Sequence, residues 1–101
     1  VISNKWSSSM KLEIKKFGER LISRPEGRDA ALVIRNQFLN HSADTTIELD
    51  FEGVKILTPS WIDEILQEIY KTHLVKDVSF INTANTSVKA SLETVLTTFS
   101  P

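Results

Sequence analysis

Hydrophobic and polar positions alternate from Met10 to Lys15. Met10, Leu12 and Ile14 share one face, and Lys11, Glu13 and Lys15 share the other. A period of two predicts a half-buried strand over 10–17, with Phe17 breaking the alternation at its end. Gly18 supports a turn after it, and Leu21-Ile22 fits a short second strand. The period then lengthens. Ala30, Ala31, Ile34 and Phe38 recur at helical spacing and predict a helix that faces the sheet and ends at Asn40, His41 and Ser42. Its start is marked by Ser23-Arg24-Pro25-Glu26, a capping box in which the Ser23 hydroxyl accepts from the Glu26 amide. Pro25 in the first turn sacrifices no intrahelical bond. Gly27 is a weak position for a helix, placed where fraying costs least.

Thr45 to Phe51 reads as a further strand, with Ile47, Leu49 and Phe51 apolar and Glu48 and Asp50 between them. Gly53 breaks it, and Val54 to Leu57 is an extended apolar link. The residue before a proline avoids helical angles, so Thr58 suits an N-cap and Pro59 the first helical position. The helix is expected to run to about His73. Ile62, Ile65, Leu66 and Ile69 form its buried stripe, while Asp63, Glu64, Gln67, Glu68 and Lys71 face water. Asp77 to Asn82 is a further strand. After the loop Thr83-Ala84-Asn85, a last helix to about Thr98 carries Val88, Leu92, Val95, Leu96 and Phe99 on one stripe. Strands alternating with helices predict an α/β domain with a mostly parallel sheet and right-handed crossovers, its opening strand an antiparallel edge.

Bulk properties narrow the classes. A chain of 101 residues that is 41% hydrophobic is one globular domain. Residues 1–9 carry no periodic pattern and read as a leader, tag or linker, in which Trp6 is the one packing anchor; the domain is expected over 10–101. The absence of cysteine excludes a disulfide framework and a thiolate site and is consistent with a cytoplasmic setting. The longest apolar run, Ala30 to Ile34, falls far short of the ~20 residues of a membrane span. Residues 1–35 hold eight Lys or Arg and four Asp or Glu, a net of +4. Residues 36–101 hold four and nine, a net of -5. This split is either ordinary solvation or an acidic face around the second helix that meets a basic partner.

Candidate chemistry is sparse. His41 and His73 sit at predicted helix C-termini, where a cationic ring suits the dipole, and neither has a metal-ligand neighbour in sequence. Asp50 and Glu52 share a strand face, which is more often a solvated strand end than an acid–base pair. Glycines at 18, 27 and 53 form no phosphate loop, and Ser60 lacks the flanking glycines of a nucleophile elbow. No basic stripe points to nucleic acid. Thr58 and Ser60 remain, two hydroxyls at an exposed helix start where a phosphate is electrostatically welcome. Both helix capping and regulation account for them.

The run Leu49-Asp50-Phe51-Glu52-Gly53-Val54, followed by Thr58-Pro59-Ser60-Trp61, resembles the STAS domain of sulfate transporters and anti-sigma factor antagonists. There the corresponding runs are Leu-Asp-Leu-Ser-Gly-Val and Asp-Ser-Ser-Gly. It is most similar to a branch of small bacterial STAS-like proteins, which share Asp50-Phe51-x-Gly53-Val54, the Asp63-Glu64-Ile65-Leu66 run and the Asn82-Thr83-Ala84-Asn85 turn. The resemblance covers Met10 to about Phe99. It implies a single-domain STAS-like β-α sandwich with a mixed, mostly parallel sheet of about four strands and three helices. It also implies a cytoplasmic signalling module that binds rather than catalyses, without a cofactor, metal, nucleic acid or membrane. In antagonist relatives the head of the second helix docks on an anti-sigma-type kinase with a histidine-kinase-like ATPase fold, and phosphorylation of a serine there blocks docking. Carried over, Ser60 is the candidate phosphoacceptor, with Thr58 beside it. Glu52, Gly53, Trp61, Asp63, Glu64, Gln67 and Glu68 become the candidate partner-binding residues. Thr58, Pro59 and Trp61 depart from Asp-Ser-Ser-Gly, and a surface Trp61 would either obstruct a kinase active site or anchor a different partner as an exposed aromatic. The alternative is a nucleotide or small-ligand sensor holding an anion at the second helix N-terminus. Homodimerisation through a sheet edge or the Trp61 surface fits either reading.

Overall fold

The computed structural model describes residues 9–37 and 46–99. Trp6, Phe38, Asn40, His41, Ser42 and Thr45, to which the pattern assigned an anchor, a helix end and a strand start, lie outside the described residues. The order is β1 (Ser9–Glu13), a 3-10 turn, β2 (Arg20–Leu21), α1 (Arg24–Gln37), β3 (Thr46–Asp50), β4 (Ile56–Leu57), α2 (Pro59–Ile69), a second 3-10 turn, β5 (Val78–Ile81) and α3 (Thr86–Phe99).

Among the described residues, β1, β3 and β5 form one sheet in the order β1-β3-β5, and β2 and β4 form a two-stranded one. Every ladder is parallel. Met10, Ile47 and Val78 stand in one cross-strand row, and Leu12, Leu49 and Phe80 in the next. Ile47 and Leu49 are fully buried, and Phe51 extends the row by stacking on Phe80 at 6.4 Å. These rows face the helices. Their alternates Lys11, Glu13 and Ser79 face outward. The α/β class and three helices follow the pattern. The opening strand is an edge, as expected, but it is parallel rather than antiparallel. The chain leaves β1, crosses through α1 and returns beside it in the same direction, and a helical crossover produces a parallel pair.

The Ser23 cap forms, its hydroxyl accepting from the Glu26 amide at 3.2 Å. Gly27 is an approach point between helices: a Cβ there would lie 2.6 Å from the Trp61 carbonyl oxygen. The link Val54 to Leu57 contains a short strand, β4, because Ile56 and Leu57 pair with Arg20 and Leu21. Helix α2 stops at Ile69, ahead of His73; Tyr70 caps it, and the chain closes with turns in which the Thr72 and His73 amides both reach the Ile69 carbonyl. His73 is buried there, its Nδ1 2.8 Å from the Thr72 hydroxyl. The stripes of α2 (Ile62, Ile65, Leu66, Ile69) and α3 (Val88, Leu92, Val95) close the core.

Candidate functional site

The C-terminal end of β3 delivers the chain to the site. Asp50 is buried, and its Oδ1 accepts from the Glu52 amide at 2.9 Å and from Asn82 Nδ2 at 2.8 Å. Lys11 Nζ stands 3.4 Å from its other oxygen. The Asn82 amide, the Glu52 N–H and Lys11 hold the Asp50 carboxyl below the usual carboxylate range, against the effect of burial. Asn82 takes a left-handed backbone, φ 57°, which asparagine tolerates better than most residues. This carboxylate therefore pins the turn after β3 to the loop after β5.

Gly53 turns the chain with φ 82°, a region that a side chain disfavours. The Lys15 side chain lies across it. The Glu19 carbonyl then accepts from both the Lys55 and Ile56 amides, and its carboxylate pairs with Lys15 and Lys55. Next, Leu57 is held from α3: its amide donates to the Ser87 hydroxyl, and its carbonyl accepts from Ser87 and from Ser91 at 2.6 Å.

Thr58 occupies the N-cap position with extended angles, but its hydroxyl makes no cap. It donates to the Ile22 carbonyl at 2.6 Å and contacts the Leu21 carbonyl at 3.2 Å. Capping by the Thr58 side chain is thus corrected, because two carbonyls at the exit of β2 claim the proton. Ser60 is half exposed in the first turn of α2. Among the described residues, no hydrogen bond engages its hydroxyl.

Trp61 overturns the expectation of an exposed anchor. It is 1% exposed, its ring 6.0 Å from Phe17 and its backbone against Gly27. It stands four residues before Ile65, on the buried stripe, so helical geometry turns it inward. The acidic face of α2 is also corrected. Asp63 and Glu64 are half-buried, and one Arg24 nitrogen donates to both at 2.7 Å. Arg28 approaches Glu64, and buried Glu68 meets Arg35 and Lys71. The basic partner of this face is the chain's own α1, which resolves much of the charge split between the two halves. Gln67 stays exposed and donates to Asp63.

The candidate residues fall into two hollows. Glu52 and Gly53, both exposed, line one of about 520 Å³ with Lys11, Glu13, Lys15 and Asp50. Ser60 and Asp63 line another of about 230 Å³ with Arg24, Pro59 and α3 residues Thr94, Val95 and Thr98. The sequence pattern gave no site role to Arg24, Asn82, Ser87 or Ser91. Signals for the first two existed: Arg24, Arg28 and Arg35 follow a helical stripe that matches the acids of α2, and an asparagine after a strand suits a left-handed turn. Among the described residues no cluster of His, Asp and Glu could hold a metal ion, and no helix is long and apolar enough to cross a membrane.

No curated protein and no solved structure matches the chain. A family model described as a STAS-like domain of unknown function matches residues 30–88. That span runs from the buried face of α1 to the first turn of α3 and contains the whole β3–α2 segment. The chain belongs to this family of STAS-like domains.

Proposed function

We propose that this domain is a regulatory interaction module that acts by binding a protein partner through residues 52–68, on the rim formed by the turn at Gly53 and the head of α2. The observation that carries the reading is the Ser60 hydroxyl. The neighbouring hydroxyls of Thr58, Ser87 and Ser91 are all tied to backbone carbonyls. Ser60 alone of these four stands half exposed with no hydrogen bond among the described residues, at a helix start that favours negative charge. Glu52, Lys55 and Gln67 in the same segment are exposed, and its backbone is held by Asp50, Glu19 and Thr58. A pre-fixed surface loses little freedom on docking.

In this reading the partner is an ATPase of the histidine-kinase-like type, and Ser60 is its phosphoacceptor. A phosphate adds ~-1.5 to -2 charges and would compete with Asp63 for Arg24. Thr58 drops out as an acceptor because its hydroxyl is committed. Incubation with such an ATPase and ATP, followed by intact mass, tests the switch. A gain of one phosphate that disappears in Ser60→Ala supports it; no gain, or a gain that survives the substitution, refutes it.

A second reading, a nucleotide or small-anion sensor, draws on the hollow of about 230 Å³ beside Arg24 and Ser60. A ligand at 100 times its Kd stabilises by ~2.7 kcal/mol, so a thermal-shift screen of nucleotides separates the two.

A further inference from the structure

Helix α1 has two charged flanks with different fates. Arg24, Arg28 and Arg35 turn to the carboxylates of α2 and are paired there. Glu26 and Asp29 lie on the opposite flank with Val33, and all three are exposed. Among the described residues no ion pair engages Glu26, Asp29 or Arg20. These three residues rim a groove of about 440 Å³ between α1 and the β1–β2 segment, within the ~300–1,000 Å³ range of binding clefts. Phe17, Ala30 and Trp61 line it below, and Val33, 39% exposed, stands at its edge.

We infer that this groove docks a peptide segment of a partner protein that presents a large apolar side chain with a lysine or arginine two or three residues away. The occupant follows from the lining. Phe17, Ala30 and Val33 offer apolar contact, and the two carboxylates lie one helical turn apart on a single wall, so they address one cation together. Arg20, on the facing wall, meets a carbonyl or carboxylate of the same segment. Apart from the buried Trp61 at its floor, this groove shares no residue with the 52–68 rim, so either can fail without the other.

Trp61 reports occupancy by its fluorescence. The full chain carrying Trp6→Phe leaves Trp61 as the sole tryptophan. The probes are dodecapeptides with one Phe or Leu and a Lys or Arg two or three positions away, and the same peptides with Glu in place of the basic residue. The expected result is a saturable change in Trp61 emission with the basic set and none with the acidic set. The pair Glu26→Gln and Asp29→Asn should weaken binding roughly tenfold or more, and Val33→Asp should abolish it, each with an unchanged melting curve. Asp29→Asn alone gives a smaller loss in the same direction. Equal binding of the two peptide sets, no saturable change with either, or indifference to the charge-removing pair overturns the inference. So does a dimer in sedimentation that Val33→Asp dissolves, since the occupant would then be a second copy.

Discussion

Replacing Gly27 with alanine places a methyl group where α1 and α2 meet backbone to backbone. The added carbon would stand 2.6 Å from the Trp61 carbonyl oxygen and 3.0 Å from its Cα. Normal contact begins near 3.4 Å, so α2 must retreat by about 0.8 Å at its first turn, and no side-chain rotation relieves a clash with backbone. Overpacking of this kind costs ~1–3 kcal/mol. Alanine regains ~0.5–1 kcal/mol of helix propensity, which leaves a net loss of about 0.5–2 kcal/mol. For a domain of this length that lowers Tm by roughly 2–10 °C. Calorimetry of both proteins measures it, and amide exchange over 61–66 shows whether the loss begins at this crossing. An unchanged or higher Tm would mean that propensity outweighs the contact, and the packing of α1 on the head of α2 would have to be redrawn.

Other consequences follow from single side chains. Trp61→Ala should cost ~3–5 kcal/mol, as for a buried aromatic, so any loss of partner capture in that variant reflects folding, and a wild-type melting curve would refute its burial. Thr58→Val removes a hydroxyl that bridges to the Leu21 and Ile22 carbonyls and should cost ~1 kcal/mol by urea titration; no loss would show those contacts to be idle. Asp50 is held below its ordinary pKa of about 3.9. Its stabilising effect is therefore complete above that value and lost as pH falls through the lower folded value. Tm should drop more steeply below pH 4 in the wild type than in Asp50→Asn, and parallel pH profiles would contradict this. The buried Tyr70 hydroxyl has no hydrogen-bond partner among the described residues, so Tyr70→Phe should leave Tm unchanged or raise it.

Long periodic segments were legible in the sequence, because a single buried face repeats over several turns. The stripes of α2 and α3 and the Ser23 cap appear where the pattern placed them, and β1 keeps its alternation as far as Glu13, where a 3-10 turn over Ile14–Phe17 replaces the rest of the strand expected over 10–17. Strand β4 was not, since two residues carry no period and Ile56-Leu57 becomes a strand only by pairing with Arg20-Leu21. Strand direction was also hidden, because alternation reports a buried face and not an orientation. At the site, backbone positions were readable and side-chain directions were not. Thr58 sits at the N-cap, yet its proton goes to carbonyls some 36 residues away in sequence. Trp61 could have been placed by period, four before Ile65, whereas its position in the resembling motif put it at the surface. The acids of α2 read as solvent-facing because their partners lie on another helix, about 40 residues earlier.

In the proposed function a partner meets residues 52–68 on their exposed rim. A photo-reactive side chain placed at Lys55 or at Gln67 of the full chain, in its own cells, tests this directly, with Glu93 on the exposed face of α3 as the control site. The expected result is one cross-linked protein shared by positions 55 and 67 and absent from position 93. Cross-links of equal strength at Glu93, or none at Lys55 and Gln67, would contradict it.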